Sequence, residues 1–178
     1  MLNAGGNPVI SYYDGTNGDL RLALCDDPTC TNILANPGFE APLAAWTTGD
    51  DARRFETGQA FAGDAVLLLT GSGAQAFATQ TLPLSGEAGD VLRLDFHAGG
   101  RSVDPGGTLG ARLDLFAGGV LVSSTDCKHT VPGATFTWTP FACAIIASAP
   151  YDTIRVSVGA QGIGSGFIGF DSVFLTQD

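Results

Sequence analysis

The chain has 178 residues, 18 of them acidic and 8 basic, for a formal net charge of -10. That balance repels polyanions, so nucleic acid and anionic membrane surfaces are excluded as partners, and a neutral ligand, a cation or a basic partner fits better. Hydrophobic residues make up 44%, too many for a disordered chain, and the longest apolar runs, Ala65–Thr70 and Ala142–Ala149, are strand-sized and too short to span a bilayer.

Charged residues are only 15%, and glycine reaches 25 residues, a composition that favours strands and turns over helices. Met1 is not followed by a basic start and an apolar stretch, so any export signal is expected upstream. The four cysteines form two local pairs, Cys25 with Cys30 and Cys127 with Cys143. An even count in a glycine-rich, lysine-poor chain points to an oxidising compartment and two disulfides. The competing zinc reading lacks CxxC spacing, and His97 and His129 form no HxxxH element.

In chain order, Val9–Asp14 and Asp19–Cys25 read as two strands around Asn17-Gly18, a pair that supplies the positive φ angles of a tight hairpin. An isolated hairpin is marginal in water, so this one is expected to lean on neighbours. Residues 5–31 resemble one unit of a bacterial extracellular repeat, in which a Gly-Asn-Pro-Val-Ile-Ser-Tyr-Tyr-Asp strand precedes an Asn-Gly-Asp-Leu strand ending in two cysteines. The resemblance implies propeller-like β-structure and upstream repeats of the same protein.

From Asn32 the character changes, and the chain divides into a partial repeat, 1–31, and a second domain, 32–178. Strand-like runs follow near 53–57, 64–70, 74–82, 90–98, 109–117, 119–125, 135–146, 152–159 and 166–176, separated by glycine- and proline-rich turns. The expected fold is all-β, a two-sheet antiparallel β-sandwich of the jelly-roll kind with an N-terminal β-hairpin. Alternation assigns Leu92, Leu94 and Phe96 to the core and Arg93, Asp95 and His97 to the other side. It likewise assigns Leu113 and Leu115 to the core, with Arg112, Asp114 and Phe116 opposite. The two polar sets are expected on adjoining strands of one sheet face. That face is either a ligand surface or a merely solvated one.

Several segments in this order are similar to the carbohydrate-binding modules of the galactose-binding-like β-sandwich superfamily. They are the opening Asn32-Ile33-Leu34-Ala35-Asn36-Pro37-Gly38-Phe39-Glu40 with Trp46, the strand Gly63–Leu69, the strand 89–96, Phe136-Thr137-Trp138, and the closing Phe167–Leu175. The resemblance implies a non-catalytic extracellular module that binds a glycan or polysaccharide, neutral by the charge argument, within a larger bacterial surface or secreted protein. It also implies a structural calcium held by Glu40 and Asp171, with Asp64 or main-chain carbonyls near Gly63 completing the shell. Trp46 is expected in the core. Trp138 could join Arg93, Asp95, His97, Arg112 and Asp114 as a ligand contact or be buried. A structural spacer without a small ligand is the alternative. Catalysis finds little support: Gly71-Ser72-Gly73 lacks a nucleophile frame, and Asp95 and Asp114 stand beside arginines that keep them ionised.

Overall fold

The structure is a computed structural model that describes residues 9–14, 19–24 and 32–177. The chain separates into two compact units, Met1–Asn32 and Ile33–Asp178. In the first, Val9–Asp14 (β1) and Asp19–Leu24 (β2) pair antiparallel, from Val9 opposite Leu24 to Asp14 opposite Asp19. The Asn17-Gly18 turn and the expected Cys25–Cys30 disulfide lie outside the described residues.

The second unit is built from Thr47–Thr48 (β3), Ala52–Glu56 (β4), Ala65–Thr70 (β5), Ala76–Gly86 (β6), Val91–Val103 (β7), Thr108–Ala117 (β8), Val120–Thr130 (β9), Ala134–Ile146 (β10), Tyr151–Gln161 (β11) and Phe167–Gln177 (β12). One 3-10 turn, Leu43–Ala45, precedes β3. The strands form two antiparallel five-stranded sheets, ordered β10-β7-β12-β5-β4 and β3-β6-β11-β8-β9. This is the two-sheet sandwich that the turn spacing predicts.

The period-2 pattern explains the layers. Leu92, Leu94, Phe96 and Ala98 of β7 are buried, as are Leu109, Ala111, Leu113 and Leu115 of β8 and Ile154, Val156 and Val158 of β11. Burying each large side chain contributes about 1.5–3 kcal/mol. In β5, Ala65, Val66 and Leu67 are buried in succession, so that strand is covered on both faces. Gly118 and Gly119 take φ of 56° and 82° between β8 and β9, the left-handed conformation that a two-residue hairpin requires.

The opening segment is tied down on both sides. The Ile33 amide donates to Leu175 O, and the Val173 amide donates to Pro37 O, so residues 33–37 run along β12. Buried Gln80 accepts from the Ala35 amide at 2.8 Å and donates to its carbonyl at 2.9 Å. Trp46 is buried as expected, and its indole N–H donates to the carbonyls of Ala35 and Asn36.

Cys127 and Cys143 are bridged, with Cα atoms 5.5 Å apart. The hairpin expected to bring them together does not exist. Cys127 lies on β9, an edge of one sheet, and Cys143 on β10, an edge of the other. The bridge therefore staples the two sheets along one side.

Candidate functional site

The outer face of the sheet β3-β6-β11-β8-β9 holds a groove of about 680 Å³. Its rows follow from the strand register. Ser157 of β11 stands opposite Arg112 of β8, which stands opposite Asp126 of β9. The next row is Arg155, Asp114 and Ser124; on the other side lies Gly159, Gly110 and Lys128. In that last row two adjacent strands carry no side chain. The result is a depression across the strands, with Phe77, paired with Gly159, at one end and Lys128 at the other. Gln161 and Thr108 border it on the far side.

Asp114 is the anchor of this face. It is fully buried although it points away from the core, because two arginines cover it. Its Oδ1 accepts from Arg112 Nε at 2.9 Å and from Ser124 Oγ at 2.8 Å, and its Oδ2 accepts from Arg155 Nη2 at 2.7 Å. Burial pushes its pKa up, but the bonds from Arg112, Arg155 and Ser124 outweigh that and hold it below the ordinary carboxylate value. Arg112 Nη1 also donates to Asp126, and Lys128 Nζ lies 4.0 Å from the same carboxylate. Arg155 is further fixed over the Phe116 ring, 5.1 Å from its centroid. Both guanidiniums are thus held rigidly by a buried counter-ion while their outer edges meet solvent.

The expected ligand set does not share one face. β7 and β8 follow one another in sequence but belong to different sheets, so Arg93, Asp95 and His97 lie on the opposite outer surface from Arg112 and Asp114. Arg93 does pair with Asp95, at 2.8 and 3.0 Å. Trp138 lies with this second set. Its ring rests on Gly99 and Gly169, where a Cβ would meet indole atoms at 3.3 and 2.8 Å, and its N–H donates to Gln59 O at 2.8 Å. Phe61 stacks on His97 with centroids 3.6 Å apart. Burial holds His97 below its ordinary value against the opposing charge of Asp95. These contacts pin the 57–64 loop across the sheet. Half-buried Trp138 therefore acts as a support for that loop and does not line the groove.

The same loop closes a carboxylate corner. Asp171 of β12 is fully buried; its Oδ2 accepts from the Ala62 amide at 3.0 Å and its Oδ1 from the Ser172 amide at 2.6 Å. Glu40 Oε1 accepts from the amides of Asp64 and Ala65 at 3.0 and 3.2 Å. A Cβ on Gly38 would sit 3.6 Å from Asp171 Oδ1 and 3.8 Å from Glu40 Cγ, so the two acids flank one point. Burial, with the Glu40 charge adding to it, pushes the Asp171 carboxyl up to about 6 against the amide bonds that favour its ionised form. Asn36, Phe39 and Ser172 take φ of 49°, 58° and 50°, and Gly63 takes 70°. Main chain held in this left-handed region is sparsely populated and turns backbone polar groups toward the corner. The two carboxylates supply hard oxygen donors, fewer than the roughly six to eight oxygens that calcium takes, and the backbone groups that reach them are the amides of Ala62, Asp64, Ala65 and Ser172. Asp64 enters through its amide, while its carboxylate is on an exposed residue. Among the described residues no three His, Cys, Asp or Glu side chains form a metal-holding group.

Sequence reasoning missed Arg155, Lys128, Asp126 and Phe77. The signal for Arg155 was present: Thr153, Arg155, Ser157, Gly159 and Gln161 alternate with Ile154, Val156, Val158 and Ala160.

The class this geometry defines is an all-β jelly-roll sandwich with a polar groove across one sheet and a carboxylate corner at the closing strand. No protein-family model and no curated protein matches the chain. Among solved structures, it is similar to TmCBM61, determined with β-1,4-galactotriose, with a TM-score of 0.62 and 17% identity over 83% of this chain and 99% of that one. It is also similar to a family 16 carbohydrate-binding module, with a TM-score of 0.58 and 15% identity over 82% of this chain and 99% of that one. A cyclase from Fischerella sp. TAU, solved with 4-(1H-indol-3-yl)butan-2-one, gives 0.59 at 18% identity over 82% and 96%. At such identities the likeness is one of fold, and that fold is shared by carbohydrate-binding modules and by an enzyme.

Proposed function

We propose that residues 32–178 form a non-catalytic module that binds a glycan or polysaccharide in the groove on the β3-β6-β11-β8-β9 sheet, as part of a larger secreted or surface protein of bacterial origin. The observation that carries this reading is the groove's lining. Arg112, Arg155, Lys128, Asp126, Gln161, Ser157 and Thr108 present donors and acceptors around a floor of glycine, with Phe77 as an apolar end. Sugar hydroxyls need such convergent polar groups on a rigid scaffold, and the central strands β8 and β11, which carry Arg112, Thr108, Arg155, Ser157 and Gln161, are paired on both sides. The carbohydrate-binding modules among the fold's neighbours support the same reading.

A non-catalytic role agrees with the buried acid of the groove. Glycoside hydrolysis requires one carboxyl kept protonated to serve as the acid. Asp114 is held in the opposite direction and has its oxygens occupied by two arginines and a serine.

The corner at Glu40 and Asp171 is read as a structural calcium site, those two side chains holding the ion with main-chain oxygens. Calcium there would neutralise two like charges that now face one another and would lock the opening segment to the closing strand. In the same reading, residues 1–31 are the last unit of an upstream repeat array.

The test is isothermal titration of a polysaccharide and oligosaccharide panel, with calcium present, against the wild type and Arg112→Ala, Lys128→Ala and Trp138→Phe variants. Binding is expected to weaken in the first two and to be unchanged in the third. No binding to any glycan would leave a structural spacer.

A further inference from the structure

The charge on the groove is at odds with the charge on the chain. Acidic residues outnumber basic ones 18 to 8 overall. Yet three of the eight basic residues, Arg112, Lys128 and Arg155, converge on this groove, against two acids, Asp114 and Asp126. Of these acids, Asp114 is closed to a ligand, and Asp126 is 39% exposed with its Oδ2 engaged. Asp114 is fully buried and its oxygens are taken by Arg112, Arg155 and Ser124. Asp126 already accepts from Arg112 and faces Lys128.

The bases keep donors in reserve. Arg112 uses Nε and Nη1, and Arg155 uses Nε and Nη2; the remaining terminal nitrogen of each makes no hydrogen bond to the described residues. Their side chains are 41% and 43% exposed, and that of Lys128 is 60% exposed. Asp114 therefore acts as a buried bracket that orients two guanidiniums outward. Such preorganised forks suit a planar carboxylate better than a neutral hydroxyl, because charge-assisted, two-point bonds are the stronger kind.

Resting on the reading of this groove as a glycan site, we propose that its ligand is an acidic glycan bearing uronate carboxylates. The carboxylate is received by Arg112, Arg155 and Lys128, and the sugar ring lies across Gly159 and Gly110 against Phe77. The overall charge of -10 does not forbid this. At physiological ionic strength fields are screened over about 8 Å, so a bound carboxylate meets the local set of charges and not the whole surface. The expectation of a neutral ligand, drawn from net charge, treated the charge as evenly spread.

The experiment uses the full chain and short oligosaccharides containing galacturonate, glucuronate or mannuronate, each paired with its carboxyl-reduced counterpart, and a sulfated oligosaccharide set. Titrations run with calcium and with chelator. At least one uronate oligomer is expected to bind about tenfold tighter than its reduced form, as charge-assisted bonds imply. Lys128→Ala and Arg155→Gln should each remove most of that ratio, weakening the uronate form far more than its reduced counterpart. Lys128 is exposed and makes only a long ion pair, so its variant is expected to fold; an unchanged melting temperature checks this, with Lys128→Gln as the second variant. Equal binding of acidic and reduced forms would overturn the proposal and leave the glycan reading intact. Preference for sulfated over uronate sugars would overturn the carboxylate assignment. Binding of no oligosaccharide in any form would overturn both.

Discussion

Opening the Cys127–Cys143 bridge tests how the two sheets are held together. The bridge closes a loop with a sequence separation of 16 and joins edge strands that share no ladder hydrogen bonds. For a loop of that length, restraint of the unfolded chain contributes about 3 kcal/mol. Near its midpoint a domain of this size loses roughly 3 °C per kcal/mol, so the loss corresponds to about 10 °C. Urea unfolding of the Cys127→Ala/Cys143→Ala double variant, followed by tryptophan fluorescence, gives both quantities. The slope of free energy on denaturant should also rise, because the released chain exposes more surface when unfolded. A loss below about 1 kcal/mol with an unchanged slope would show that the loop is already constrained in the unfolded state, and the cross-link argument would fail.

Calcium is expected to raise the melting temperature by several degrees, on the order of 2–8 °C, with chelator reversing it; Asp171→Ala should abolish the response, and a curve indifferent to both additions would remove the metal site. Asp114→Asn should cost about 1–3 kcal/mol at neutral pH in denaturant melts, less than for a wholly buried pair because both guanidiniums are two-fifths exposed. Because the folded state holds Asp114 below its ordinary value, its contribution is present above an unfolded pKa of about 3.9 and is lost as pH falls through the lower folded value. The variant should accordingly show a shallower loss of stability below about pH 4, and parallel acid limbs would sink that assignment. Acrylamide quenching should reach Trp138 and not Trp46, which is 5% exposed, so that Trp138→Phe removes the quenchable emission; a quenchable residue remaining would contradict the packing of Trp46.

How much of this was legible without coordinates varies from residue to residue. Strands such as β7 and β8 were legible because they bury one face, and burial imposes a period of two on Leu92, Leu94 and Phe96 as on Leu113 and Leu115. The expectation that Arg93, Asp95 and His97 share a surface with Arg112 and Asp114 failed for a definite reason. Both sheets of a sandwich turn their apolar side to the same core, so alternation reports which side faces inward but not which sheet a strand joins. The Cys127–Cys143 pairing succeeded for a related reason. Two edges that abut across the core bring side chains as near as a hairpin does.

The sequence by itself determined the all-β class, the inner and outer faces of strands such as β7 and β8, and the residue types at every site. Only the tertiary structure decided that Arg155 and Arg112 meet over Asp114 and that Trp138 lies away from the groove. Side-chain polarity acts locally and can be read residue by residue. Convergence depends on strand order and register, which are fixed by which long-range pairing buries the most apolar surface with every ladder bond satisfied.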